Sequence, residues 1–365
     1  MITVKIIIDC MSGDNAPHEI IKGAVEGGRK NNVDLLLVGS ETVIRSELSG
    51  LDTEDVDIEI YNVDGEPITM EDDPGVVIKS KKDSSMAQAL KLLSEGVGHA
   101  VISAGNTGAL FMGASLIVKR IKGIRRAALG ALVPLGGHAT MVADAGANTD
   151  AMPETMRESA LMGKLFMEKV MGIENPRVGL INNGAEEKKG TELYRETYKL
   201  LKELDINFVG NVEGRDFPND ACDVLVTDGF TGNIIVKLTE GFGVFMKSQL
   251  KKIFYANVGT KIAAGMVSGE LKRIKREMDY SEFGGAPFLG ISRPVIKAHG
   301  SANAKSISCC VGQAKNYIKS GIISEFALMA KDPSAFLKPI PFEDVTDENA
   351  DNAANAAAEE SGDRE

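Results

Sequence analysis

The sequence predicts a doubly wound, three-layer α/β/α fold with a largely parallel sheet. Two observations carry this. Short apolar runs of buried-strand type alternate with segments of helical periodicity, and strand after strand ends in a turn of Gly, Asn, Asp and Ser. In such a fold the turns at the carboxyl ends of the strands share one edge, where ligands bind.

The chain bears this out element by element. Val4 to Ile8 is a β-branched run that ends in the polar turn Asp9 to Pro17. There Asp9, Asp14 and Asn15 fit two readings, ligand contacts or caps of the helix that opens near Pro17. That helix runs to Gly27-Gly28, and Asp34 to Gly39 is the next strand, completing a strand-helix-strand unit. Ile58 to Tyr61 follows as a strand. Lys79, Lys81 and Lys82 form a basic cluster that fits a solvated face or an anion contact. Ala100 to Ile102 then leads into Ser103-Ala104-Gly105-Asn106-Thr107-Gly108, the glycine-rich turn on which the reading centres. Glycine lets backbone approach a ligand closely, and tight strand-to-helix turns also need it for packing alone, so the turn gains weight from its repetition.

The basic stretch Lys119 to Arg126 precedes a strand over 127–133, and Thr140 to Val142 leads into Asp144-Ala145-Gly146-Ala147-Asn148. Pro153 opens a helix whose Met162, Leu165, Phe166 and Val170 are core. Strand 177–181 delivers the loop Asn182 to Gly190, which carries Lys189, and strand 223–226 delivers Thr227-Asp228-Gly229-Phe230-Thr231-Gly232-Asn233. From 243 to 278 the composition is helical, with Ile262, Met266, Val267 and Leu271 on a narrow apolar stripe flanked by lysines and arginines. Core packing, a dimer interface and an anionic membrane surface all suit such a stripe. Strand 294–297 is followed by His299-Gly300-Ser301-Ala302-Asn303, which closes the series.

Net charge is −11, but nine acidic residues against Arg364 alone fall between Glu343 and Glu365, so the body is nearly neutral. This segment, without aromatics, reads as a disordered acidic tail beyond a single α/β domain spanning 1–342. Cys10, Cys222, Cys309 and Cys310 show no zinc or redox spacing. No P-loop, His-Glu-x-x-His or Gly-x-Gly-x-x-Gly motif is present, and the expectation is an enzyme without metal or cofactor and without a nucleic-acid partner. No run approaches the ~20 apolar residues of a spanning helix, and the expected location is cytoplasmic.

Taken together, Asp-x-Met-x-Gly-Asp-Asn-Ala-Pro, Ser-Ala-Gly-Asn-Thr-Gly-Ala, Asp-x-Gly-Ala-Asn, Asn-x-Gly-x-Glu-x-x-Lys-Gly, Asp-Gly-Phe-x-Gly-Asn, Gly-Gly-Ala-Pro-x-Leu-Gly and His-Gly-Ser-x-Asn-Ala occur in order from Ile6 to Leu328. The combination resembles the PlsX-type phosphate acyltransferases. Ser12, Asn183 and Ala302 depart from the usual pattern. The resemblance implies a fold related to the isocitrate and isopropylmalate dehydrogenases and to phosphotransacetylase. It also implies transfer of a fatty acyl group from acyl carrier protein to inorganic phosphate for phospholipid synthesis, in a homodimer peripherally attached to the membrane. The acyl phosphate would pass to a glycerol-3-phosphate acyltransferase.

On that reading Lys189 and Asn233 are the first catalytic candidates, with Asp228 orienting and His299 as acid for the departing thiol. Asp9, Asn15, Ser103, Gly105, Asn106, Thr107, Gly108, Asp144, Asn148, Gly232, Ser301 and Asn303 are the candidate substrate and phosphate contacts. Backbone N–H groups at Gly105, Gly146 and Gly232 are expected to cradle phosphate. Ile262, Met266, Val267 and Leu271 are the membrane candidates. A phosphotransacetylase acting on coenzyme A thioesters and a non-catalytic acyl- or phosphate-binding protein are the competing readings; a decarboxylating dehydrogenase is disfavoured for want of a nucleotide fingerprint and a metal-binding carboxylate pair.

Overall fold

The computed structural model describes residues 4–135, 138–277, 283–332 and 336–337. The acidic tail over 343–365 and the expected turn residues Gly136, Gly137 and Asp279 to Glu282 lie outside them. Eleven strands form one sheet: β1 (Lys5–Asp9), β2 (Asp34–Gly39), β3 (Ile58–Asn62), β4 (Ala100–Ser103), β5 (Ala128–Leu135), β6 (His138–Ala143), β7 (Arg177–Asn182), β8 (Asn207–Glu213), β9 (Val224–Val226), β10 (Ala286–Leu289) and β11 (Val295–Lys297). Their order is β3-β2-β1-β4-β11-β10-β5-β6-β9-β7-β8. Pairing is parallel except at β5 with β6, β5 with β10 and β10 with β11. The expected fold class holds, with β10 added where the sequence reads only as a glycine-rich turn.

The helices are α1 (His18–Asn31), α2 (Glu41–Leu48), α3 (Ser85–Glu95), α4 (Thr107–Gly113), α5 (Pro153–Lys169), α6 (Glu192–Lys202), α7 (Gly229–Phe254), α8 (Val258–Met266), α9 (Ser268–Glu277), α10 (Ala304–Lys319) and α11 (Ile322–Lys331). Core strands such as β1, with Ile6, Ile7 and Ile8 fully buried, are apolar on both faces because helices cover both sides of the sheet. The expected core helix is α5, with Met162, Leu165 and Phe166 buried.

One boundary differs from expectation. The helical segment expected from 243 begins at Gly229, because the turn of Asp228 to Asn233 is the start of α7 itself, capped by the Asp228 carboxylate on the Thr231 N–H at 2.9 Å. The core-packing reading of the α8 and α9 stripe is not what the fold shows: Ile262 is 62% and Met266 84% exposed, Val267 is exposed and Leu271 half-buried. Phe230, Ile234, Leu238, Phe242 and Phe245 continue an uncovered apolar face along α7. No helix of the described residues is long and apolar enough to cross a membrane.

Helices α1 and α10 pack with almost no separation, because a Cβ at Gly23 would lie 2.3 Å from the Ala304 carbonyl oxygen. Gly23→Ala should therefore destabilise the fold by about 1–3 kcal/mol, the range for overpacking. Urea unfolding measures it, and an unchanged midpoint would contradict this packing.

Candidate active site

The turn after β6 is built around one carboxylate. Asp144, 3% exposed, accepts through Oδ1 from the backbone N–H groups of Leu129 (3.1 Å), Gly146 (3.1 Å) and Ala147 (2.9 Å). Through Oδ2 it accepts from the Asn148 backbone N–H and the Asn148 side-chain amide, both at 2.7 Å. Burial raises its pKa against the pull of these hydrogen bonds. The start of α7 presses onto this turn: a Cβ on Gly232 would lie 1.9 Å from the Asp144 carbonyl oxygen, and Gly146, at φ +134°, faces the Asn233 side chain. The close contact at Gly232 leaves no room for a side chain, and the φ of Gly146 favours glycine. Asn233 is thereby held beside Gly146, and its amide makes no hydrogen bond to another described residue.

Beside this corner lies a cavity of about 1090 Å³, at the upper end of the ~300–1,000 Å³ common for small-molecule sites. Its apolar wall includes Phe111, Met112, Leu116, Leu129 and Phe288; its polar residues include Thr107, Asn148, Asn233, Lys237, Lys297 and His299. Phe111 and Phe288 meet with ring centroids 5.4 Å apart. Arg120 and Arg126, from the basic stretch, are exposed and also line the cavity.

Of the residues singled out from sequence, Asp14, Thr107, Gly108, Gly146, Asn148, Asn233 and His299 line this cavity. His299 is exposed, with Nδ1 2.8 Å from Ser301 Oγ and Nε2 3.9 Å from Glu240 Oε1. Lys189 stands exposed in the loop after β7, on the same sheet edge but outside the cavity lining.

Other expected site groups have partners within the protein. The backbone N–H groups meant to cradle phosphate are already taken: Gly105 donates to Ser103 Oγ at 3.1 Å, Gly146 to Asp144, and Gly232 to the Asp228 carbonyl at 2.9 Å. Asp9 is wholly buried, accepting from Ser85 Oγ and Ser103 Oγ at 2.6 Å each, and burial raises its pKa. Ser103 is therefore a partner of Asp9. Asn106 caps α4 through Oδ1 while its amide donates to the carbonyls of Thr69, Met70 and Asp72, which leaves it no donor for substrate. The Asn148 amide donates to the Ala127 carbonyl and to Asp144. Asn15 ties its loop to the carbonyls of Ser301 and Ala302, and Asn303 caps α10. Of the three lysines in the early basic cluster, Lys81 pairs with Asp72 and Glu66. Asp228 caps α7 and accepts from Tyr194 Oη (2.5 Å) and Thr231 Oγ1 (2.7 Å). Burial pushes its pKa up, and these hydrogen bonds outweigh that and hold it below the usual carboxylate value.

The residue that sequence reading passed over is Lys297, at the end of β11. Its residue is 8% exposed, and Nζ donates to the carbonyls of Ala104 (3.3 Å) and Ala298. The available signal was a charge ending the apolar run Pro294-Val295-Ile296. Among the described residues no group of His, Cys, Asp and Glu could hold a metal ion.

A family model described as fatty acid synthesis protein matches residues 4–325. A phosphate acyltransferase of Alkaliphilus oremlandii is 45% identical over 324 residues, covering 89% of this chain and 96% of that protein. A phosphate acyltransferase of Clostridioides difficile is 43% identical over 323 residues, covering 88% and 95%. The fold is similar to that of a phosphotransacetylase from Streptococcus pyogenes, at a TM-score of 0.55 and 16% identity, covering 86% of this chain and 94% of that one.

The hydrogen-bond pattern separates two asparagines that look alike in sequence. Asn148→Ala should cost about 1–3 kcal/mol through the unsatisfied partners it leaves. Asn233→Ala should stay within about 0.5 kcal/mol of the parent. Thermal unfolding of both variants checks the contrast, and equal losses would contradict it.

Proposed function

The chain belongs to the fatty acid synthesis protein family of phosphate acyltransferases, and from that premise we propose that its cavity transfers a fatty acyl group from acyl carrier protein to inorganic phosphate. The observation that supports this most is a single cavity lined both by apolar side chains that suit a chain and by the polar side chains of Asn233 and His299. Each methylene enclosed by the wall is worth about 0.8 kcal/mol, so a long chain gains binding that an acetyl group lacks.

Phosphate is anionic near neutral pH and attacks a thioester with little help from a base. One of its oxygens bonds to the acyl carbon, the C–S bond breaks, and the thiolate of the carrier's arm leaves with a proton. Catalysis then rests on holding the anion beside the carbonyl and stabilising the oxyanion as it forms. In this reading the free amide of Asn233 donates to the oxyanion, Lys189 approaches phosphate from its loop on the same edge, and His299 protonates the departing thiol. Asp228 acts by fixing the first turn of α7, on which Asn233 stands. The residues require no resident metal or cofactor for this step. The acyl phosphate passes on to a glycerol-3-phosphate acyltransferase for phospholipid synthesis.

Acyl carrier protein is acidic. Arg120 and Arg126 border the cavity, so a carrier seated on the Lys119 to Arg126 stretch delivers its acyl arm directly into it; this favours that patch over the lysines flanking the α8 and α9 stripe. The uncovered apolar faces of α7, α8 and α9 suit the contact between two protomers and a peripheral contact with anionic lipid, through Ile262, Met266, Val267 and Leu271.

Offered palmitoyl-acyl carrier protein and palmitoyl-CoA side by side, the protein should form acyl phosphate faster from the carrier; preference for the CoA ester would favour the phosphotransacetylase reading, and turnover of neither the binding-protein reading. A preorganised donor is worth about 3–4 kcal/mol of barrier, so Asn233→Ala and Lys189→Ala should each lower turnover by on the order of a hundredfold with the fold retained; near-normal rates in both would sink these roles. At low carrier concentration the rate should fall as salt rises, because docking is steered by charge; a flat profile would contradict docking on Arg120 and Arg126. Replacing Ile262 and Met266 by Asp should release the protein from anionic vesicles, and undiminished vesicle binding would refute the lipid contact.

A further inference from the structure

We propose that the Lys297 ammonium is the cation that holds the phosphate nucleophile in the cavity, an inference that rests on the phosphate acyltransferase reading and names its anion-binding group. Lys297 is the one Lys or Arg side chain that is buried among the described residues, and it lines the same cavity as Asn233, Asn148 and His299. Its Nζ has three protons. Two carbonyls, of Ala104 and Ala298, accept from it, and no carboxylate among the described residues lies within ion-pair distance.

A buried ammonium without a counter-charge is costly, and a protein that keeps one at a ligand cavity has a use for the missing anion. Burial pulls the Lys297 pKa down to about 8, which records the same deficit. The carboxylates whose charge reaches it are Asp9 and Asp14. Asp9 is held by Ser85 and Ser103, and Asp14 lines the same cavity from the turn after β1 but is exposed and makes no ion pair with Lys297. Neither neutralises the ammonium directly.

Lys237, Arg120 and Arg126 also line the cavity, but all three are exposed, where water screens their charge. The backbone N–H groups of Gly105, Gly146 and Gly232 are committed within the protein, as are the amides of Asn106 and Asn148. Lys189, exposed outside the cavity lining, reaches the phosphate only from its loop, whereas Lys297 holds the anion from within the cavity. A phosphate beside Lys297 receives a charge-assisted hydrogen bond in a partly desolvated place and is carried to the same cavity as the Asn233 amide.

The test uses the full-length protein and inorganic phosphate, with Lys297→Gln as variant, since glutamine still offers donors to the two carbonyls but carries no charge. Loss of a charge-assisted contact should raise the KM for phosphate by about tenfold or more, with the KM for acyl carrier protein within about twofold. Phosphate should raise the melting temperature of the parent and not of the variant. An unchanged KM for phosphate, or an equal phosphate-induced rise in both proteins, overturns the inference. The melting experiment needs no turnover, so a parent that binds phosphate through Lys297 yet forms no acyl phosphate would count against the acyl-transfer reading alone. Should the variant not fold, a crystal of the parent soaked in phosphate decides: density within hydrogen-bond distance of Nζ supports the assignment, and phosphate bound only at Lys189 overturns it.

Discussion

The buried Asp144 carboxylate is the constraint on which the site depends. It gathers three backbone N–H groups and the Asn148 amide of the turn after β6 and ties that turn to the Leu129 N–H of β5. The start of α7 lies against that turn, and Gly232 permits the contact. The position of Asn233 follows from this docking rather than from any hydrogen bond of its own. Its side chain is thereby placed at the cavity without an intramolecular hydrogen bond that a ligand would have to break.

Much of the fold was legible because parallel strands buried on both faces are apolar throughout and are punctuated by turn residues. The sequence pattern of β1, β2, β4, β7 and β9 admits little else. The start of α7 was not legible in the same way: Gly229, Gly232 and Thr231 lower intrinsic helix preference, and tertiary packing against the Asp144 turn overrides it. Strand β10 was hidden for a related reason, since Gly284, Gly285 and Pro287 read as turn chemistry although Ala286 and Pro287 pair with β11.

The site was legible as a place and less so as a set of roles. Asp, Asn and Ser are the residues that close strand-to-helix turns upon themselves and also those that contact polar ligands, so residue type alone cannot divide the two. Asn106, Asn148 and Asn233 look equivalent in sequence; only the hydrogen bonds show the first two committed to the fold and the third available. Lys297 is the converse case. A lysine at the end of a short apolar strand carries no motif, and its importance rests on burial and the lack of a neighbouring carboxylate.

In this account phosphate and thioester meet in one cavity and the acyl group moves in a single step, with no acyl-enzyme. The measurement that bears on this most directly is exchange of labelled carrier protein into unlabelled palmitoyl-acyl carrier protein in the absence of phosphate. Single-step transfer predicts no exchange until phosphate is added. Exchange without phosphate would reveal an acyl group parked on the protein and contradict the account.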